Sequence, residues 1–303
     1  MGTIKIIQRK KLKDNQKYCE LCGQEYKGKF YSRGSNYTVL KCRQCDLLWA
    51  DPLTDENYEK MINSDYFGEE IYLSKEKAQK ERFRSQIEKV LKIYGNKVLK
   101  DDIKILDVGS GLGFFIDVCD EMKIFCEGCD INEKAVNYSN REKNRTRIGT
   151  VDGYYEDNSF DIIFALNLIE HIPHPKQFIT HCARILKPDG LLVLETPIQE
   201  SLFHVFARIG DYITGYRMNN YGINTNGHIY KFCNRSFEKF KDIGFGIIHK
   251  EKIGSPLKEI FGKTTYMSNL NKILMRFIMP VVWLLAKIFG MENRTFIVFK
   301  INK

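Results

Sequence analysis

The sequence predicts an α/β fold: a mostly parallel sheet with helices on both faces, preceded by a small four-cysteine ribbon. Three observations carry this expectation. From Ile103 onward, continuous apolar runs alternate with amphipathic stretches, the pattern of strands buried on both faces between covering helices. The first run ends in "DVGSGLG", Asp107 to Gly113, where glycines at alternate positions suit a tight strand-to-helix turn. Two C-x-x-C pairs, Cys19/Cys22 and Cys42/Cys45, stand in front of it all. With 303 residues there is room for one core domain and an appendage, and 28% charged against 43% hydrophobic residues excludes wholesale disorder.

Taken in order, residues 1–50 read as a basic arm and a ribbon. "MGTIKIIQRKKLK" contributes to the net charge of +9 and reads either as a solvated tail or as an arm drawn to an acidic surface. Nineteen residues, rich in Gly, Tyr and Lys, separate the two cysteine pairs and read as a short β ribbon. Each pair places two thiolates on one turn, and two such turns make a tetrahedral cage for zinc. Thiolates fill all four positions, so this zinc is structural and supplies much of the ribbon's stability. A third C-x-x-C, Cys126 and Cys129, lies in an apolar strand. Residues three apart there face opposite sides and cannot share a metal. Nine cysteines without an export signal predict a reducing, cytoplasmic setting.

Residues 51–100 are connectors, with a helix over about Ser74–Tyr94 that buries Phe83, Ile87, Val90, Leu91 and Tyr94 on one face. Residues 101–303 form the core. Its strands are expected at Ile103–Val108, Phe125–Asp130, near Arg147, at Asp161–Leu166 and at Leu191–Glu195, with helices at Phe114–Met122, Glu133–Arg141 and Pro175–Leu186. Pro175 suits a first turn and "KPDG" stops that helix.

Such sheets bind ligands beyond the carboxyl ends of their strands. Gly109, Gly111 and Gly113 allow close approach, and Asp130, ending the second strand, is placed for ribose hydroxyls. A dinucleotide would want a small residue where Phe114 stands. Asp107 would also repel a pyrophosphate but attract a cation. S-adenosylmethionine, with a sulfonium, an ammonium and no phosphate, meets both conditions.

At this point the chain resembles the class I S-adenosylmethionine-dependent methyltransferases. "ILDVGSGLGFF" is similar to their first motif and "CEGCDINEKAV" to their second. "NSFDIIFALNLIEHIPHPKQFITHCARILKPDGLLVLETP" is similar to the block that follows, and "NGHIYKFCNRSFEKFKDIGF" to a later segment. The resemblance implies a Rossmann-like, seven-stranded, mostly parallel sheet whose last strand, Thr295–Ile301, is antiparallel. It implies that Asp107, Gly109, Gly111 and Gly113 line the methionine part of the cofactor, that Asp130 holds the ribose and Ile131 packs on the adenine. Asn167 would face the methionine or the acceptor, and Asp152 would be the acidic residue near the adenine amino group. The cysteine quartet is similar in organisation to that of bacterial relatives that modify sugars, polysaccharide precursors or lipid-linked substrates.

Removal of an acceptor proton points to histidine: His228, in a glycine-flanked loop, or His171, preceded by Glu170. A metal at His171, His174 and His181 is a weaker reading, because that spacing wraps a loop onto a helix. An apolar, basic insertion, residues 255–293, includes "ILMRFIMPVVWLLAKIFGM". It reads as a cap on the sheet or a homodimer face, or as an interfacial helix that meets the inner face of the membrane. Ser201–Arg217 reads as a lid. Two other function classes stay open at this stage. One is a nicotinamide dehydrogenase. The other is a non-catalytic, nucleic-acid-binding ribbon on a degenerate core.

Overall fold

The computed structural model describes residues 18–25, 29–33, 37–53, 73–95, 102–152, 155–214, 223, 227–255 and 269–303. The basic arm, Tyr154, the end of the expected lid beyond Thr214 and most of the connector before the long helix lie outside them.

Two sheets organise the chain. The larger has seven strands: β4 (Lys104–Val108), β5 (Phe125–Asp130), β6 (Thr146–Ile148), β7 (Phe160–Leu166), β8 (Leu186–Pro197), β10 (Phe245–Ile253) and β11 (Arg294–Ile301). Their spatial order is β10-β11-β8-β7-β4-β5-β6. β4, β5, β6, β7 and β8 pair in parallel, and β11 runs antiparallel to both β8 and β10. The chain lays β5 and β6 on one side of β4 and then returns to place β7 on the other. That reversal makes a crevice at the carboxyl ends of β4 and β7.

Strand alternation divides the core cleanly. Leu106, Cys129, Ile163, Leu192, Leu194, Ile297 and Phe299 face one side, and Ile105, Cys126, Ile162, Phe164, Leu191, Val193 and Val298 face the other. Cys126 and Cys129 therefore point apart, as the strand period requires. Helices α1 (Glu76–Tyr94) and α2 (Phe114–Glu121) cover the second side through Ile87, Val90, Phe115 and Val118. Phe115 reaches the Phe164 ring at 4.7 Å. α3 (Glu133–Ser139) closes on Phe114 and Leu112 through Ala135. α4 (Pro175–Ile185) covers the first side with Phe178, Ile179 and Cys182.

The helix before "KPDG" ends at Ile185, and β8 begins at once. Phe160 pairs with Leu186 and Ile162 with Leu191, so residues 187–190 loop out opposite Asp161. The Asp161 carboxylate holds that excursion, accepting from Lys187 Nζ at 2.7 Å, the Lys104 amide at 2.9 Å and Tyr94 Oη at 2.9 Å. Strand β8 is therefore longer than its apolar run suggests.

The smaller sheet contains β1 (Lys29–Arg33), β2 (Thr38–Lys41) and β3 (Leu48–Asp51), antiparallel in sequence order. Its fourth strand, β9 (Tyr230–Lys231), comes from far along the chain, pairing Tyr230 with Trp49 and Lys231 with Leu48. The ribbon packs on the first side of the large sheet, and Cys19, Cys45, Leu47 and Trp49 belong to that core.

Between β10 and β11, α6 (Asn269–Ile288) meets α5 (Leu202–Thr214). Met279, Val282 and Ala286 are buried, while Phe277, Val281, Leu284 and Ile288 are exposed. From Phe277 on, this helix is thus apolar on both its buried and its outer face. Among the described residues, no helix is long and apolar enough to cross a membrane.

Candidate active site

The loop after β4 turns through three left-handed glycines, Gly109, Gly111 and Gly113, with φ of 75°, 52° and 83°. Side chains strongly resist that backbone region, which explains the alternation. The Gly109 and Ser110 amides donate to the Cys129 carbonyl at 2.8 and 3.2 Å, folding the loop onto the end of β5. A Cβ on Gly113 would lie 2.2 Å from Ser139 Oγ, so its bareness serves packing. A Cβ on Gly111 would meet nothing within 4 Å; its bareness leaves space in the crevice.

Two carboxylates stand at the ends of the strands that carry the loop, Asp107 on β4 and Asp130 on β5. Asp130 accepts from the Gly111 amide at 2.9 Å and the Asn132 amide at 2.8 Å. Burial pushes its carboxyl above the usual range, against the pull of those amides. Asp107 is 5% exposed and has no hydrogen-bond or ion-pair partner among the described residues. Burial, and then the charge of Asp130, push its carboxyl up to about 8. A buried acid without a counter-ion is a place prepared for a cation. This donor set fits S-adenosylmethionine: Asp107 for a positive charge, Asp130 for hydroxyls, and bare backbone at Gly111.

The remaining expected residues divide. Ile131 directly follows Asp130 and is half-buried. Asp152 sits in the turn after β6, near enough to act on the His181 ring. Asn167 takes a left-handed φ of 53° at the end of β7. Its amide donates to the Glu195 carbonyl at 2.7 Å and its side chain to Glu195 Oε1 at 3.4 Å. Tyr155 lies in the core against Phe160.

His171 and His228 meet edge to face, their ring centroids 4.8 Å apart. His171 Nδ1 lies 3.0 Å from the Gly227 carbonyl. That carbonyl can only accept, so Nδ1 carries the proton and Nε2 the lone pair. Burial lowers the His171 pKa to about 4. Beside it, buried Glu170 accepts from Thr196 Oγ1 at 2.9 Å, and burial raises its carboxyl to about 7. The grouping of His171 with His174 and His181 does not form. His174 pairs with Glu20 and His181 with Gln177.

Sequence reasoning missed the cluster around Glu195. This buried carboxylate accepts from Gln86 Nε2 at 2.6 Å and lies 3.2 Å from Arg294 Nη1 and 3.5 Å from Arg82 Nη1. It ties α1 and β11 to the rim of the crevice. The available signal was an acid closing the apolar run "LLVLE".

In the ribbon, the four thiols converge. Cys19 Sγ lies 3.7 Å from Cys45 Sγ, and Cys22 Sγ 3.6 Å from Cys42 Sγ. Tetrahedral zinc would hold sulfurs about 3.8 Å apart. The two turns share one design. Gly23 N donates to the Cys19 carbonyl and Asp46 N to the Cys42 carbonyl, and both donors have left-handed backbone.

A family model described as a methyltransferase domain matches residues 75–250, more than half of the chain. The chain belongs to this methyltransferase family. The match removes the dehydrogenase and the non-catalytic scaffold from consideration. A ubiquinone biosynthesis O-methyltransferase of Dechloromonas aromatica is 30% identical over 115 residues, covering 35% of this chain and 50% of that protein. A mitochondrial ubiquinone biosynthesis O-methyltransferase of Dictyostelium discoideum is 28% identical over 148 residues, 40% of this chain and 45% of that one. This methyltransferase thus spans about half the length of the curated relatives it matches. Among solved structures, an S-adenosylmethionine-dependent methyltransferase of Thermotoga maritima shares the fold, with a TM-score of 0.50 at 13% identity, covering 82% of this chain and 100% of that one.

Proposed function

We propose that this methyltransferase methylates a hydroxyl of a sugar, a glycan precursor or a lipid-linked acceptor, working in the cytoplasm at the inner face of the membrane. The donor half of the proposal rests on one observation: Asp107, buried at the end of β4 and without a counter-ion among the described residues, on the strand that leads into the left-handed glycine loop. When bound, S-adenosylmethionine supplies the electrophilic methyl group. The chain's own residues then bind and orient. Asp107 holds the ammonium, Asp130 the ribose hydroxyls, and Ile131, Asp152 and Asn167 border the rest. His228, or Nε2 of His171, takes the acceptor proton.

The acceptor half is supported by placement and by relatives. α5 leaves the carboxyl end of β8, the end where ligands bind, and exposes Val205, Phe206 and Ile209. α6 adds Phe277, Leu284 and Ile288. Basic Arg208 and Lys287 stand among them, the composition of a face that meets anionic lipid. The curated relatives carry O-methyltransferase names. The cysteine quartet holds a structural zinc, as its sulfur separations suggest.

The test is incubation with methyl-labelled S-adenosylmethionine and separated membrane and soluble extracts, followed by mass analysis. The expected product is a methyl ether in the lipid-extractable or sugar fraction. Label confined to protein or nucleic acid would overturn the acceptor reading.

A further inference from the structure

Four elements bring five polar side chains together where the ribbon meets α5. Lys41 on β2 pairs with Leu48 on β3, and Leu48 pairs with Lys231 on β9. Residues paired in this way share a face, so the two lysines stand on one face, two strand spacings or about 10 Å apart. Tyr31 enters from β1, and His204 and Arg208 stand one turn apart on α5. The seam is tied on both sides. Gln199 Nε2 donates to the Asp46 and Lys231 carbonyls, each at 2.8 Å, and Ser201 Oγ accepts from the His204 amide at 3.2 Å.

His204 is 6% exposed and lies at the centre. Lys231 Nζ lies 3.3 Å from its Nδ1, and Tyr31 Oη 2.9 Å from its Nε2. An ammonium can only donate, so Nδ1 accepts, and Nε2 carries the proton and donates to Tyr31. The imidazole is therefore neutral. Burial, then the charges of Lys231, Arg208 and Lys41, lower its pKa to about 3. Arg208 is exposed, lies over the Tyr31 ring at 5.6 Å and forms no ion pair among the described residues. Lys41 reaches Asp46 at 3.2 Å, a carboxylate that Arg235 also approaches at 3.4 Å. Cations gathered around a buried, neutral hub repel one another, and a bound anion offsets that repulsion. A phosphoryl group matches them, with about two negative charges near neutral pH and oxygens for both a guanidinium fork and ammonium groups.

We propose that Lys41, Arg208 and Lys231, set around the His204–Tyr31 pair, bind a phosphoryl group of the acceptor. The molecule methylated is then a phosphate ester or a diphosphate. The placement fits this role. α5 leaves the carboxyl end of β8, and Lys231 follows His228 by three residues, at most about 11 Å along the chain. One acceptor can touch the cations with its phosphoryl group and the His228 loop with its hydroxyl. The proposal deepens the acceptor reading above and rests on it for its meaning, while its test needs neither donor nor methyl transfer.

The experiment uses the full chain with zinc in the quartet, in about 0.15 M NaCl, which screens diffuse attraction to a basic protein. Inorganic phosphate is titrated in and followed by calorimetry. One phosphate per chain is expected. Affinity should fall by about tenfold or more in Arg208→Gln and in Lys231→Gln, and should not change in Lys143→Gln, which removes an exposed cation beside Asp120. The exposed Arg208 variant keeps the test sound if Lys231→Gln loosens β9. No phosphate bound by the wild type at millimolar concentration, or equal binding by all three variants, overturns the site. Vesicles of phosphatidylcholine with and without phosphatidylglycerol form the second arm. Capture that needs both phosphatidylglycerol and Arg208, with free phosphate unbound, would assign the seam to a lipid headgroup and overturn the acceptor role. A methylated product without phosphorus in the labelling experiment would overturn it too, while leaving the methyltransferase reading in place.

Discussion

The ribbon and the crevice gather their polar side chains in opposite ways. In the ribbon, four like donors close on one another from two turns of the same design, and sulfur separations of 3.6–3.7 Å leave no opening. In the crevice, Asp130 accepts from the Gly111 amide beside open space, and the Asp107 side chain has no hydrogen-bond or ion-pair partner among the described residues. The difference follows from what stabilises each. The ribbon's short strands pack on the large sheet, and the zinc proposed for the quartet would tie their two turns together. The large sheet is packed on both sides, and that burial holds Asp107 as a protonated acid until a cation arrives.

The largest effect should come from breaking the ribbon. Stripping zinc with a chelator, or Cys42→Ser, should cost the ribbon on the order of 5 kcal/mol or more of local stability. Hydrogen exchange read by mass spectrometry should show faster uptake at 18–51 and also at 227–233, which share a sheet, with β4 and β5 protected. Rapid exchange throughout would mean that the two regions do not differ as described.

Next come the carboxylates. Asp107→Asn should weaken S-adenosylmethionine binding by about 2–3 kcal/mol, and Asp130→Ala by about 1–3 kcal/mol, measured by calorimetry. Unchanged affinity in either would remove that residue from the site.

Acidity sharpens the same contrast. The Asp107 carboxyl titrates near 8 when folded, against 3.8 ordinarily. Between those values the folded chain holds a proton that the unfolded chain has lost. The ligand-free protein should therefore lose stability as pH rises from about 4 to 8. A cationic ligand favours the ionised acid, so binding at pH 7 should expel a proton. The binding enthalpy should then vary with the ionisation enthalpy of the buffer, and Asp107→Asn should abolish that variation.

The smallest effect is expected from Gly111→Ala. Its left-handed backbone should cost about 1 kcal/mol in thermal unfolding, with no clash against protein. Donor affinity should fall further, because the methyl group fills ligand space.

Much of both regions was readable in the sequence, because the signals are local. Strand runs, the glycine alternation and the cysteine spacings each operate within a few residues, and the crevice follows from strand order. What escaped was long-range. Tyr230 and Lys231 carry too short a pattern to announce that they complete the ribbon's sheet. Asn167 has an ordinary environment in sequence, yet Glu195, 28 residues later, engages its amide. Glu170 reads as a neighbour of His171, and only folding brings His228 to the pair.

Strand β9 belongs to the ribbon's sheet and begins two residues after His228. The stretch that carries His228 is thus held from the ribbon's side, so whatever loosens the ribbon, at Cys19–Cys45, is felt at a histidine that stands against His171 on the far side of the sheet edge.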